Sequence, residues 1–212
     1  MTLAEMTLQF VSLMNRTDLR NNTALASTFI TQAILRIERE LRVPMQEVTL
    51  LETIDDTYDP AVGLTIPEDY LELIGIYAGA DQEYQLQRSQ FSKVKAAAVG
   101  STGYPREFTR LGNHWIIGPS PAVDDVLMIQ YYAKFPALVA PTDTNELSEV
   151  AWDAVVYAAL AAACDYYNDD RLPNFEKRYV QIVTNLQAAA DGDALTADAA
   201  LDPVYAWPDD GI

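Results

Sequence analysis

The stretch Arg106-Glu107-Phe108-Thr109-Arg110-Leu111-Gly112-Asn113-His114-Trp115-Ile116-Ile117 reads as two short strands around a two-residue loop. Gly112-Asn113 suits a primed hairpin turn, where positive φ matches the twist of the flanking strands. Gly118-Pro119-Ser120-Pro121 ends the second strand, and Val126 to Ala133 is a further strand with Ile129, Tyr131 and Tyr132. Working back toward the N-terminus, the spacing predicts strands over 48–54, 71–77 and 83–87, and a short helix over 90–98. The connector 96–104 reads as mobile. Short strands joined by tight turns predict an antiparallel sheet.

Helical periodicity takes over on both sides of this region. Thr2 and Glu5 form a capping-box pattern ahead of Leu3, Met6, Phe10 and Leu13. The polar run 15–22 breaks that helix. Leu25, Phe29, Ala33, Ile34, Ile37 and Leu41 form the stripe of a second, which Pro44 stops. Asn145 or Thr144 caps an alanine-rich helix, and Asn168-Asp169-Asp170 breaks it. Pro173 sits in the first turn of a last helix with Phe175, Tyr179, Ile182, Val183 and Leu186 on one face. The expected fold class is α+β: predominantly a helical bundle from both chain ends (3–15, 23–42, 146–168, 172–190) with a small inserted antiparallel β region, about 46–135. Residues 1–190 form a single domain in this reading. Residues 191–212 are an acidic extended tail with six aspartates and no Lys or Arg.

The 212 residues carry 14 Lys+Arg against 31 Asp+Glu, a net charge of −17. Sequence-led nucleic-acid binding is disfavoured, because it rests on cations that neutralise phosphate. One cysteine, Cys164, excludes an internal disulfide framework and a multi-cysteine zinc site. Met1 to Met6 lacks the basic start of a signal peptide, and the longest apolar run, 154–164, is too short for a membrane span of about 20 residues. The protein is expected to be soluble and made in a cytoplasm.

Little of the sequence points to catalysis. His114, the one histidine, lies on the hairpin and reads as a strand residue. Cys164 has no cation within a helical turn to activate it and reads as a small buried hydrophobe. The pairs Asp55-Asp56, Asp124-Asp125, Asp169-Asp170 and Asp209-Asp210 fall at predicted turns, where aspartate closes turns and caps helices. No catalytic residue, cofactor or metal is expected.

Several pieces, in this order, resemble the head–tail adaptor proteins of tailed bacteriophages. They are Ile66-Pro67-Glu68-Asp69-Tyr70-Leu71-Glu72-Leu73, then Tyr104-Pro105-Arg106-Glu107-Phe108, and Trp115 to Pro121. Val126 to Pro136, the helix from Glu149 to Asp170, and Phe175, Tyr179 and Leu186 continue the match. After the proline loop this chain has Asn145-Glu146-Leu147 where many relatives carry Asn-Trp-Leu.

The resemblance implies a non-enzymatic protein of the virion head–tail junction. Its implied partners are the portal protein, a tail or nozzle protein, and itself in a homo-oligomeric ring, twelve-fold by resemblance. Genomic DNA would pass through the channel without sequence-specific binding, and an acidic wall would repel it. Some relatives insert a C-terminal extension along the portal. That makes Leu201, Pro203, Val204, Tyr205, Trp207 and Pro208 portal-interface candidates here. Alternative readings are another neck or tail-completion protein, an acidic DNA mimic that regulates a nucleic-acid enzyme, and, last, a small carboxylate hydrolase.

Overall fold

The computed structural model describes residues 1–199, with side chains to 193. The architecture is mixed α+β. Met1–Met45 and the described residues from Pro136 onward form one compact unit, and Gln46–Phe135 form a second.

In the helical unit, α1 (Leu3–Met14) opens with the expected capping box: Glu5 N–H donates to Thr2 Oγ1 at 3.2 Å, and Thr2 N–H donates to Glu5 Oε2 at 2.9 Å. Leu3, Met6, Phe10, Val11 and Met14 are buried. The helix stops one residue earlier than expected because Asn15 takes a left-handed conformation, φ 53°. The polar run after it is not merely a break. It holds a short helix, α2 (Thr17–Asn21), which seats Leu19 in the core.

Asn22 caps α3 (Thr23–Glu40) through the Leu25 N–H at 3.1 Å. This helix ends at Glu40 rather than 42. Leu41 turns extended to bury its side chain, and Pro44 disfavours helical geometry at Val43.

The single helix expected over 146–168 is two. Ala151, at φ −133° and ψ 41°, separates α5 (Glu146–Val150) from α6 (Trp152–Tyr167). The bend lets Leu147 and Ala151 turn inward with the α6 core residues. Helix α6 is buried on most sides and touches α1, α3 and the last helix, α7 (Leu172–Ala199). Its alanines 154, 158, 159, 161 and 163 are buried, and their small size lets those neighbours approach.

Helix α7 (Leu172–Ala199) runs through the boundary expected at 190. A helical glycine costs only about 1 kcal/mol relative to alanine, and the alanines around Gly192 are the strongest helix formers, so Gly192 does not end it. The acidic stretch from 191 to 199 is therefore helix rather than extended tail.

The β unit contains two four-stranded sheets rather than one. Its strands are β1 (Glu47–Thr53), β2 (Leu64–Thr65), β3 (Tyr70–Ala78), β4 (Tyr84–Gln85), β5 (Gln87–Arg88), β6 (Glu107–Leu111), β7 (His114–Gly118) and β8 (Val126–Ala133). The first sheet has the order β1-β8-β3-β4, all antiparallel; the second is β2-β7-β6-β5. The hairpin forms as expected, with Leu111 opposite His114 and Gly112 at φ 59°.

The purely antiparallel expectation fails at β5, which pairs parallel with β6. The chain between them passes through α4 (Phe91–Gly100), and such a crossover is what a parallel pair needs. That helix also takes up residues 96–100 of the expected mobile connector, and Thr102 bridges Ser120. Ile76, Leu127, Ile129 and Tyr131 of the first sheet share one core with Leu64, Phe108, Trp115 and Ile117 of the second.

Candidate interaction surfaces

The residues singled out for chemistry occupy structural positions. His114 pairs across the second sheet with Thr65 and Leu111. Cys164 is fully buried, its Sγ 3.9 Å from Met14 Sδ, and burial pushes its thiol pKa up, away from a reactive thiolate. Asp55 accepts from Thr57 N–H and Oγ1 at 2.9 and 2.7 Å, which closes a turn. Asp125 accepts from Ala122 N–H at 2.8 Å. Asp169 accepts from Arg171 N–H at 3.0 Å and from its guanidinium at 2.8 Å, joining α6 to α7; these bonds hold its carboxyl at about 2. Among the described residues, no group of three or more His, Cys, Asp or Glu is placed to hold a metal ion, and no helix is long and apolar enough to cross a membrane. Asp209-Asp210 and the portal-interface candidates Leu201, Pro203, Val204, Tyr205, Trp207 and Pro208 lie outside the described residues.

Concave and exposed surfaces remain in each unit. In the helical unit, Leu3, Leu8, Val11, Leu19, Val139 and Pro141 line an apolar groove of about 470 Å³ with Arg20 at its rim. Leu8 is 71% exposed and Val139 83%. On another face, Arg36 of α3 lies between Glu40 and Glu176, with the Tyr179 ring 4.1 Å from its guanidinium carbon.

In the β unit, Tyr84, Gln85, Gln87, Tyr104, Arg106 and Glu107 line a concavity of about 480 Å³ where β4 leaves the first sheet and β5 joins the second. Leu86 makes that switch, buried, with its N–H on the Ile76 carbonyl at 2.8 Å. Tyr104 at the lip is 78% exposed. The Tyr84 hydroxyl is enclosed and has no hydrogen-bond partner among the described residues. Burial, with Glu83 and Asp125 nearby, pushes its pKa up, so it stays a donor at neutral pH. Glu107 is held by Lys93, but Arg106 and the neighbouring Arg88 have no ion pair among the described residues.

The opposite edge of the first sheet is β1, seven residues that end without a neighbour on one side. It holds neither Pro nor Lys, and Leu51 on it is 60% exposed. Sequence reading found these strands but not this relationship. In the sequence Tyr104 falls in the connector 96–104 and Arg106 opens the hairpin, with nothing local to join them to Tyr84, and nothing in the run 47–53 marks it as an edge.

An exposed aromatic, an enclosed hydroxyl with an unused proton, unpaired cations and an open strand edge are features of protein-binding surfaces. No curated protein matches the chain. A family model described as SU10 adaptor protein matches residues 1–204. The chain therefore belongs to the SU10 adaptor protein family, a family of phage head–tail adaptors.

Proposed function

We propose that the protein docks as a ring onto the portal, extends the DNA channel and provides the tail attachment site. The observation that carries this reading is the family match over residues 1–204. An adaptor family is structural in nature, and its members associate with other virion components. The net charge of −17 supports the reading, because an acidic channel wall does not hold phosphate. Ring contacts between identical subunits are heterologous and close by rotation, so each copy needs two different complementary faces.

Leu201, Pro203, Val204, Tyr205, Trp207 and Pro208 are proposed to contact the portal, as apolar and aromatic anchors flanked by Asp202, Asp209 and Asp210. Co-sedimentation with the portal ring of the same genome, with mass read by light scattering, tests the function. The expected result is a complex with one added subunit per portal subunit; no association across a salt series overturns it. A chain ending at Ala199 keeps α7 whole and should bind the portal more weakly. Unchanged binding would remove the tail from the interface.

A further inference from the structure

We propose that the β1 edge of one copy seats in the Tyr84–Tyr104–Arg106 concavity of the next, so that the two edges of the first sheet are the two faces of the subunit–subunit contact. The proposal rests on the ring reading above and names the surfaces that would build the ring.

Three observations converge on it. First, β1 and β4 are the opposite edges of one sheet. A contact between unlike edges repeats in one direction around an assembly, whereas a contact between like edges stops at a dimer.

Second, the charges are complementary within a chain that is short of cations. The β1 edge carries Glu47 and Glu52, with Asp55, Asp56 and Asp59 in the turn that follows it. Neither glutamate has an ion pair among the described residues. Next to the β4 edge, the second sheet brings Arg88 of β5 and Arg106, just ahead of β6, to the concavity; both are without an ion pair among the described residues, while Glu107 there is already held by Lys93 and Glu83 and Asp125 lie on the Tyr84 side. Opposed signs at the two faces favour the heterologous contact and penalise the like-edge one.

Third, each side lacks what the other offers. The edge strand presents backbone groups outside its own ladder together with the exposed Leu51. The concavity presents the exposed Tyr104 ring and a Tyr84 hydroxyl with no acceptor. A carbonyl or carboxylate of the incoming edge would accept that hydroxyl, while Leu51 would cover apolar surface at the lip.

Charge exchange tests the contact with the full chain. One variant carries Arg88→Glu and Arg106→Glu, so its β1 edge and its concavity are both acidic. The other carries Glu47→Lys and Glu52→Lys, so cations on its β1 strand meet the cations Arg88 and Arg106 of the next copy. Assembly is read by sedimentation velocity over a concentration series, with the portal ring absent and present, after circular dichroism confirms that both variants are folded.

Each variant alone should assemble about tenfold less tightly than the wild type or worse. An equimolar mixture should recover wild-type assembly, because every acidic face then finds a cationic one and the two variants alternate. Variants that assemble alone like the wild type, or a mixture that gains nothing, overturn the contact. So does a wild-type chain that associates in neither condition. A wild type that loads the portal while both variants load it equally well sinks the edge contact and leaves the adaptor reading standing. A wild type that self-associates and responds to charge exchange but ignores the portal does the reverse.

Discussion

Arg36 on α3 holds Glu176 on α7 by both carboxylate oxygens, at 2.6 and 2.9 Å, across 140 residues of sequence. The same guanidinium reaches Glu40 at 3.0 Å and lies over the Tyr179 ring. Tyr179 in turn donates its buried hydroxyl to Glu40. The three acidic and aromatic partners thus converge on one cation at the contact between the first and last thirds of the chain. The bidentate fork is a geometry that lysine cannot supply.

Replacing Glu176 with Gln should lower stability by about 1 kcal/mol, since the pair is only part-buried and partly screened. Arg36→Ala should cost more, about 2 kcal/mol, because the stem packing and the cover over Tyr179 go with the charge. Urea denaturation of the full chain reads both. A Glu176→Gln loss as large as that of Arg36→Ala would show that the carboxylate, not the arginine, organises the cluster.

Asp169 gives a sharper pH signature. Its hydrogen bonds to the Arg171 side chain and N–H hold its carboxyl at about 2, below the ordinary 3.8. A depressed carboxylate pKa means that the folded state favours the ionised form. Its contribution is complete above pH 3.8 and is lost as pH falls through about 2. Glu176, lowered by its hydrogen bonds to Arg36, acts in the same direction from a higher starting point. The urea midpoint should therefore fall with acidification, and Asp169→Asn should flatten its slope between about pH 4 and 2. An unchanged slope would mean that Asp169 is equally ionised in the unfolded chain.

Local signals in the sequence carried much of the fold. The capping box at Thr2 and Glu5, the cap at Asn145, the Gly112-Asn113 hairpin and the bounds of β8 are all set by residues within a few positions of one another. What was missed depends on distant partners. Leu19 makes a helix of a polar run because a core residue is needed there, and Ala151 bends α6 away from α5 for the same reason. The parallel β5–β6 pair and the edge position of β1 follow from strand order, which no local spacing records. The candidate surfaces were hidden for that reason. Tyr84 and Tyr104 lie twenty residues apart, and only the switch of strand between sheets brings them together.

Two glycines with positive φ should respond differently to the same change. At Gly63, φ +85°, an added Cβ would lie 2.3 Å from the Trp115 carbonyl oxygen, which is ladder backbone that cannot swing aside. At Gly112, φ +59°, the added atom meets nothing within 4 Å. Gly112→Ala should cost about 1 kcal/mol, the ordinary penalty for a left-handed residue. Gly63→Ala adds a backbone clash and should cost about 3 kcal/mol. Urea denaturation of each variant against the wild type, followed by circular dichroism, reads the loss. Equal costs at the two sites would show that β2 relaxes away from β7 without penalty.

Cys164 supplies a test of the helical core. It is the one thiol in the chain, it is fully buried on α6, and burial raises its pKa. Both the low thiolate fraction and the enclosure oppose attack by a thiol reagent at neutral pH. The native chain should react no faster than the helical unit opens, and denaturant should bring the rate to that of a free cysteine. Cys164→Ala leaves a small cavity beside Met14 and should cost about 1 kcal/mol, whereas Cys164→Asp buries an unpaired carboxylate and should cost several times more. The contrast separates packing from chemistry: rapid native labelling would place α6 at the surface and undo the argument that its alanines serve close helix contact.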